Sequence, residues 1–289
     1  MDGWLLAGIV LIIVIILAFF AISRFGFVMP TAPEGKKLAV GLTGALTSDL
    51  KKVKISSPVT FILNLSNFAS EDAYDITANL NITNWEISEP EKNIDRISKD
   101  GTYKLYWVSY APEKKGTYTA IAEIFYKMKN EKEMKFRVYN ESYLLTLSQE
   151  KRKAIEEKSA LISSKGSENT SIEIIPSVQQ PFIISKTVQE FPFIIKVVNV
   201  GNYEVYSPEE SFPPVQEKKN LVKFSYSGNY LSCDVPNNSL IELVDNSKGI
   251  VCKLNLSGVS IKEYSDFTAN FSANYSYFTK TSLSIEVFE

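Results

Sequence analysis

The two cysteines are the first residues whose type and spacing suggest chemistry. Cys233 and Cys252 are the only cysteines of the chain, and histidine is absent. Two thiols do not complete a four-ligand zinc site, and their spacing is not that of a C-x-x-C redox motif. A polar turn, residues 245–249, lies between them. We therefore predict a disulfide across two neighbouring strands, with a pair of buried reduced thiols as the alternative.

The absence of histidine also limits catalysis. It excludes Ser-His-Asp and Cys-His mechanisms and removes the commonest general base. Adjacent carboxylates at Glu156–Glu157 and Glu209–Glu210 are typical of a solvated surface. The sequence has no P-loop and no G-x-G-x-x-G motif. We therefore predict that the protein is not an enzyme and uses no cofactor.

Several oxygen-bearing side chains near the cysteines raise the question of calcium. Their order does not follow the EF-hand pattern, so we interpret them as solvated turn residues and predict no metal site. These residues are Asp234, Asn237, Asp245 and Asn246.

The N-terminal segment sets the location of the protein. Trp4 to Ser23 carry no charge, and about 20 residues at about 1.5 Å each span a bilayer core of about 30 Å. We predict a transmembrane anchor at residues 1–24 and a Pro/Gly-containing stalk at 25–36. A cleaved signal peptide is disfavoured because the apolar core is long and no Lys or Arg precedes it. A pilin-type leader is disfavoured because Met1-Asp2-Gly3 has no basic residue.

The orientation of this anchor is contested by the sequence. Arg24, Lys36 and Lys37 follow the apolar run, and the positive-inside rule would place that side in the cytoplasm. The cysteine pair, the domain type and the many Asn-x-Ser/Thr triplets instead favour an extracytoplasmic C-terminal region. The candidate glycosylation sites are Asn64, Asn81, Asn140, Asn169, Asn237, Asn255, Asn270 and Asn274.

Strand patterning begins near Lys37. Apolar residues alternate with polar ones over 59–65 and 74–82, which indicates half-buried antiparallel strands. Further strands are predicted at 102–109, 117–128 and 132–139. Residues 141–171 break this rhythm and form a predicted helical linker, with a helix at 148–163.

The chain then repeats itself. Phe61 to Phe68 align with Phe193 to Val200 at an offset of 132, and Tyr126 aligns with Tyr275 at an offset of 149. Two constant offsets separated by a break indicate an insertion in the second copy of about 17 residues between Ser207 and Val251. The sequence therefore predicts two copies of one all-β domain, at 37–140 and 172–289.

Each copy has the length and strand number of an immunoglobulin-like sandwich. Gly116-Thr117-Tyr118 fits the start of a late strand whose tyrosine ties the sandwich corner. Asn199-Val200-Gly201-Asn202 follows the second main strand, and the first copy has Asn67-Phe68-Ala69-Ser70 there, without glycine. This pattern resembles the CARDB-like modules of prokaryotic surface proteins, and the leading anchor looks like that of archaeal envelope proteins. The resemblance implies a structural or adhesive role.

Aromatic residues supply the remaining candidates for binding. Alternation places Tyr106 and Tyr110 opposite Trp107, so one face of that strand should expose aromatic surface. In the second copy we expect most aromatics to fill the core. These are Tyr226, Tyr230, Tyr264, Tyr275, Tyr277 and Phe278.

The resulting hypothesis is a single-pass membrane protein that displays two immunoglobulin-like sandwiches outside the cell for structure or adhesion. Its expected partners are the lipid bilayer, through Trp4 to Ser23, and proteins or glycans at the cell surface. The net charge of -2 gives no reason to expect nucleic acid binding. A pilin-like filament subunit and a carbohydrate-binding accessory module are the alternatives.

Overall fold

The computed structural model describes residues 41–167, 170–178, 180–201 and 203–289, and strands dominate this part of the chain. The first seven strands are β1 (Leu42–Ser48), β2 (Lys52–Lys54), β3 (Pro58–Asn67), β4 (Ala73–Ile82), β5 (Glu91–Ile97), β6 (Thr102–Tyr110) and β7 (Gly116–Asn140). Two helices follow, α1 (Glu141–Leu144) and α2 (Gln149–Glu156). The remaining strands are β8 (Leu161–Gly166), β9 (Ile172–Ser177), β10 (Phe182–Ile184), β11 (Glu190–Asn199), β12 (Glu204–Tyr206), β13 (Leu221–Ser227), β14 (Leu231–Cys233), β15 (Ser239–Glu242), β16 (Ser247–Asn255) and β17 (Tyr264–Phe288), with a 3-10 turn at Gln216–Lys218.

The alternation in the sequence becomes alternation of burial. In β3, Val59, Phe61, Leu63 and Leu65 are buried while their neighbours are partly exposed. The same pattern runs through β4 and β11. Since successive side chains of a strand point to opposite faces, these strands each cover a core with one face. The prediction of an all-β fold is confirmed.

The strands form three sheets. Two small sheets have the orders β1-β3-β6 and β14-β16-β11-β9. The third sheet has ten strands and contains β15-β13-β17-β7-β4-β5, with β2 and β12 beside β17 and with β8 and β10 beside β7. Both repeats contribute strands to this large sheet, so residues from Gly41 onward belong to one compact unit. From the sequence we expected the two repeats to form two separate domains.

The centre of the large sheet is a long ribbon of two strands. β7 and β17 have 25 residues each and pair antiparallel without a register shift from Gly116–Val287 to Tyr139–Tyr264. At about 3.3 Å per residue each strand is roughly 80 Å long. One face of the ribbon is buried along most of its length.

Each long strand serves two sandwiches. The N-terminal part of β7 pairs with β4, and the C-terminal end of β17 pairs with β2, so the first sandwich has the order β5-β4-β7-β17-β2 opposite β1-β3-β6. The second sandwich has β15-β13-β17-β7-β10 opposite β9, β11, β16 and β14. The last strand of each sandwich is therefore supplied by the other repeat. Phe136 of β7 shows this exchange directly, because its ring lies 4.7 Å from that of Phe193 in β11.

The exchange has an internal two-fold symmetry. Lys127 lies opposite Ser276 in the ribbon, and the sequence offset of 149 carries position 127 onto 276. The ladder is thus centred on this pair, and the repeat seen in the sequence is the repeat of the structure. Tyr118 and Phe267, which the same offset relates, are both partly buried on the core side.

Two strands predicted at 117–128 and 132–139 are in fact one strand, and that prediction of a break is wrong. Asn130 at the expected break is buried, and its Nδ2 donates to Thr170 Oγ1 at 2.7 Å and to the Ile172 carbonyl. The Asn130 amide nitrogen is therefore bonded to residues that follow β8 rather than to a local turn, and the strand continues through this position.

The predicted helix at 148–163 is also wrong in its second half. Ser148 caps α2, and the helix ends at Glu156. Residues 161–166 form β8, which pairs antiparallel with β7. The linker 141–171 is therefore only partly helical, because the edge of β7 offers backbone groups that an extended segment satisfies.

The insertion in the second copy lies inside one strand. Tyr74 of β4 pairs with Lys127, and Thr77 resumes the pairing after a bulge. In the second copy the corresponding strand is split into β12 and β13, and residues 207–220 fill the break. The additional residues of the second copy therefore lie at the position where the strand pairing of the first copy is irregular.

The predicted anchor at 1–24 and stalk at 25–36 lie outside the described residues, as does the glycosylation candidate Asn169. Within the described ranges, no helix has the length and apolar character needed to cross a bilayer.

Candidate interaction surfaces

The outer face of the β1-β3-β6 sheet carries a row of exposed apolar and aromatic residues. Tyr106, Val108 and Tyr110 alternate along β6 and are 52%, 61% and 68% exposed. Trp107 between them is buried, and its Nε1 donates to the Pro90 carbonyl at 3.0 Å. The exposed aromatic face predicted from alternation is confirmed, and Val108 extends it. We call Tyr106, Val108 and Tyr110 the aromatic face.

The neighbouring strand continues this surface. Ile62 lies opposite Tyr106, and Thr60 lies opposite Val108. Apart from Lys104 at one end, the cross-strand pairs along these residues carry no charge. Flat tyrosine rings beside hydroxyl groups suit stacking against sugar rings or packing against a protein surface.

The equivalent face of the second sandwich mixes aliphatic and polar side chains, since Ile194 and Val251 lie opposite each other there and are both exposed. Lys253 Nζ lies 3.1 Å from Glu190 Oε2, and Asn255 Nδ2 donates to Glu190 Oε1 at 2.9 Å. Asn255 occupies the place of Tyr106 at the offset of 149. The aromatic face is thus a property of the first sandwich.

Buried tyrosines occupy the middle of the molecule and are not binding residues. Tyr126, Tyr275 and Tyr277 are fully buried, and burial raises the pKa of each hydroxyl above its ordinary value. The Tyr126 hydroxyl accepts from the Leu42 amide at 3.2 Å, and Tyr277 donates to Asn199 Oδ1. Tyr126 thus connects the start of β1 to the ribbon, and Tyr277 connects the end of β11 to it.

Close packing here explains one glycine. A Cβ at Gly201 would lie 2.4 Å from the Tyr277 hydroxyl oxygen. Asn199 Oδ1 also accepts from the Gly201 amide at 3.1 Å, and Asn67 makes the matching bond to Ala69 in the first copy. The motif noted in the sequence is therefore a pair of side-chain turns, and glycine is needed only where Tyr277 approaches.

The tyrosine corner is present in the first sandwich. The Tyr118 hydroxyl donates to the Lys114 carbonyl at 2.8 Å, four residues upstream. This bond joins the start of β7 to its preceding loop, as in immunoglobulin-type sandwiches.

The two cysteines form a disulfide, as predicted. Cys233 of β14 lies directly opposite Cys252 of β16. The turn between β15 and β16 contains Asp245 and Asn246, both with positive φ, which suits a tight hairpin. The bridge holds a short edge strand against its sheet and leaves no thiol for catalysis.

The residues considered for calcium do not come together as a site. Asp234 Oδ1 accepts from the Val251 amide, and Asn237 Oδ1 accepts from the Tyr226 amide. No group of three or more His, Cys, Asp or Glu residues suited to a metal ion occurs in the part of the chain that the structure describes. The carboxylates at 156–157 lie on exposed or half-exposed helix surface.

Three carboxylates, Asp72, Asp266 and Glu204, have pKa values lowered from their ordinary values. The Lys99 amide, which donates to Asp72 at 2.8 Å, is the largest cause for Asp72, and the nearby Arg96 guanidinium adds to it. For Asp266 the main cause is Arg137, whose Nε and Nη2 donate to both carboxylate oxygens at 2.7 and 2.9 Å. The Asp72–Arg96 and Asp266–Arg137 pairs are both partly exposed to solvent.

A third polar network lies at the insertion. Glu204 accepts from Lys219 Nζ at 2.6 Å and from the Tyr206 hydroxyl at 2.9 Å. Burial, followed by the hydrogen bond to Glu204, raises the pKa of Tyr206 to about 12. The network ties the inserted residues to β12.

The glycosylation candidates differ in accessibility. Asn81, Asn237 and Asn270 are exposed, while Asn64, Asn255 and Asn274 are half-buried. Asn140 is also half-buried and caps α1, and its Nδ2 donates to the Ile261 carbonyl at 2.5 Å. A glycan at Asn140 would break that contact.

The other predicted aromatics divide between core and surface. Tyr275 and Tyr277 are buried, and Tyr226 and Phe278 are partly buried. Tyr230 and Tyr264 are exposed, and the Arg137 guanidinium lies 4.4 Å from the ring centroid of Tyr264.

No family model matches the chain, and the search of curated proteins found no match. Solved structures do match parts of it. A CARDB domain from Pyrococcus furiosus, in complex with di-metal ions, has a TM-score of 0.26 and 11% identity and aligns over 30% of this chain and 71% of its own. The human complex of Zinc 2-glycoprotein and Prolactin inducible protein has a TM-score of 0.26, 14% identity and coverage of 32% and 73%.

An MSP-domain-like protein of Caenorhabditis elegans has a TM-score of 0.19 and 13% identity, and it aligns over 27% of this chain and 70% of its own. The assignment of the fold rests on the strand order of the chain itself. Each sandwich has two sheets and a parallel contact at one edge, of β2 with β17 in the first and of β10 with β7 in the second, and the first also has a tyrosine corner. These features define immunoglobulin-like β-sandwiches.

Proposed function

We propose that this chain is a structural and adhesive protein of the cell surface, in which a membrane anchor carries the two fused sandwiches outside the cell. The observation that supports this most is the β7–β17 ribbon. It runs without a register shift through both sandwiches. Domains in tandem usually move relative to each other unless their interface is large. Here a hinge would require breaking a continuous ladder, so the pair serves as a stiff spacer.

The sequence supplies the other half of the proposal. Trp4 to Ser23 form an uncharged run long enough to span a bilayer. The disulfide suits an oxidising compartment outside the cytoplasm. A stiff body joined to such an anchor would hold its exposed faces at a fixed distance from the membrane.

Protease treatment of intact cells tests this location. We expect cleavage in the 41–289 region without lysis, with a cytoplasmic protein protected in the same sample. Full protection of the region, followed by cleavage after lysis, would contradict it. Sequencing the N-terminus of the mature chain tests the pilin-like alternative, which predicts a start at or near Gly3 or Trp4.

The aromatic face favours a second candidate, a carbohydrate-binding accessory module. Tyr106 and Tyr110 present uncharged rings with free hydroxyls on a flat sheet. Binding to a glycan array should be lost in a Tyr106→Ala, Tyr110→Ala double variant. Tyr230→Ala, which removes an exposed ring of the second sandwich, is the control. Equal binding by all three proteins would exclude this face as the glycan site.

A further inference from the structure

One stretch of the large sheet has no hydrogen-bonded neighbouring strand among the described residues, although β1 of the opposite sheet passes close to β17. On the side of β17 away from β7, β12 ends its pairing at Phe278 and β2 begins at Glu286. Residues 279–285 between these points pair only with β7. We call residues 279–285 the β17 slot.

The slot presents unsatisfied backbone groups. The Glu286 amide donates to the carbonyl of Lys51, the residue before β2, so this amide points outward, away from β7. Because the groups of alternate residues point to the same side of a strand, Lys280, Ser282 and Ser284 also direct their N–H and C=O groups outward. No described residue hydrogen-bonds to these outward groups.

The second sandwich shows how such an edge is filled. The equivalent positions of β7, 149 residues earlier, are Glu131, Glu133 and Lys135. There β8 pairs with the strand, with Lys165 opposite Glu133 and Ser163 opposite Lys135. Further along, the Ser167 amide donates to the Glu131 carbonyl at 3.1 Å. Of these two equivalent edges, only the one on β7 is covered by described chain.

The slot lacks the features that protect sheet edges from pairing. Edge strands commonly carry charges that discourage added strands, and β5 at the opposite edge of this sheet has four, at Glu91, Lys92, Asp95 and Arg96. The slot has one, Lys280, and Glu123 Oε1 holds its ammonium at 2.7 Å. Its remaining residues are Thr, Ser, Leu and Ile.

We propose that the β17 slot binds an extended peptide segment of a partner protein, which adds to the sheet as an antiparallel strand. Such strand addition gives affinity through main-chain hydrogen bonds. The slot is bounded by β12 and β2, so a second copy, whose slot is bounded in the same way, would meet these strands first. A single extended segment of the length of β8 fits between them.

The contacts of β8 specify the chemistry of this peptide. The backbone N–H and C=O groups of Ser163 and Lys165 point toward β7. A peptide that binds the slot in the same way needs backbone N–H groups at the two corresponding positions. A Cβ at Gly166 would lie 2.1 Å from the Glu131 carbonyl oxygen. The peptide should therefore carry glycine where it passes Lys280.

Hydrogen exchange on the full chain in detergent tests the proposal, with a synthetic peptide of the sequence of residues 160–167, Ala-Leu-Ile-Ser-Ser-Lys-Gly-Ser, as the probe. We expect the peptide to slow exchange of the Ser282 and Ser284 amides by about tenfold or more. A peptide with Ser163→Pro lacks a backbone N–H that would point toward β17, so it should not slow the exchange of the Ser282 and Ser284 amides. A peptide with Ser164→Pro, whose altered residue faces away, should still protect.

Three outcomes would overturn the proposal. Unchanged exchange of both amides in the presence of the peptide would exclude strand addition. The amides could be protected in the chain alone at every concentration, which means that the slot is filled from within the chain. Protection that rises with protein concentration would instead assign the slot to a second copy. None of these outcomes bears on the cellular location proposed above, because the measurement is made in detergent.

Discussion

The first and second sandwiches share one strand plan but are held by different local bonds. In the first, the Tyr118 hydroxyl ties the corner to Lys114, whereas Phe267 at the equivalent position has no hydroxyl. In the second, a disulfide joins Cys233 and Cys252. Each sandwich therefore has its own local bond, a hydrogen bond in the first and a disulfide in the second, while both depend on the same ribbon.

The ribbon also makes each sandwich depend on the other repeat, and Phe136→Ala should test this with the largest effect. Its ring packs against Phe193 and Phe182 of the second repeat. Removing a buried phenylalanine costs about 3–5 kcal/mol of unfolding free energy. Denaturant unfolding measures the loss, and hydrogen exchange should show weaker protection in β11 than in β3.

Ile285→Ala is the matched variant, since the offset of 149 relates the two positions. Ile285 is buried in β17, so the loss of about 2–5 kcal/mol should weaken β3 before β11. If Phe136→Ala instead loosened β3 first, the exchanged arrangement would be contradicted.

The disulfide is the next largest difference between the sandwiches. A Cys233→Ala, Cys252→Ala double variant should lose about 3 kcal/mol, the chain-entropy value for a loop of this size. Thermal and denaturant unfolding measure the effect, and reduction of the unaltered protein should reproduce it. An unchanged midpoint after complete reduction would show that the second sandwich does not rely on the bridge.

The corner hydrogen bond should have a smaller effect. Tyr118→Phe removes the bond to the Lys114 carbonyl and should cost about 1 kcal/mol. The reciprocal change Phe267→Tyr should alter stability by less than about 0.5 kcal/mol, because the ring already packs edge-on against Tyr230. A gain equal to the loss would mean that both corners can use a hydroxyl.

The smallest expected effect depends on pH. The pKa of Asp72 is lowered from 3.8 in the folded protein. A lowered pKa means that the ionised form stabilises the fold above the unfolded pKa and that this contribution disappears as pH falls through the folded pKa. Asp72→Asn should therefore cost less than about 1 kcal/mol at pH 7. The difference should vanish in strong acid, and a constant difference at all pH values would rule out ionisation as its cause.

Much of the local structure could be predicted from the sequence. The alternation at Val59 to Leu65 predicted a strand and its buried face correctly. The same alternation rule predicted that Tyr106 and Tyr110 are exposed. These features depend on near neighbours in the chain, so period and propensity suffice to find them.

The exchange could not be predicted in this way. Residues 117–128 and 132–139 alternate equally well in a hairpin or in one straight strand, and the choice depends on Asn130 contacting Thr170 and Ile172. The absence of Gly and Pro between the two runs was the available signal. The β17 slot was missed for the same reason, since coverage of an edge depends on distant chain.

The position of residues 279–288 in the first sandwich has a consequence for biosynthesis. A ribosome makes residues 41–128 well before it makes the end of β17, which completes the first sandwich. The sheet of the first repeat therefore has an unpaired edge until translation is nearly finished. Domains that emerge first usually fold first, but here both repeats become complete together. Expression of this protein should therefore depend on chaperones that shield unpaired strands during translation.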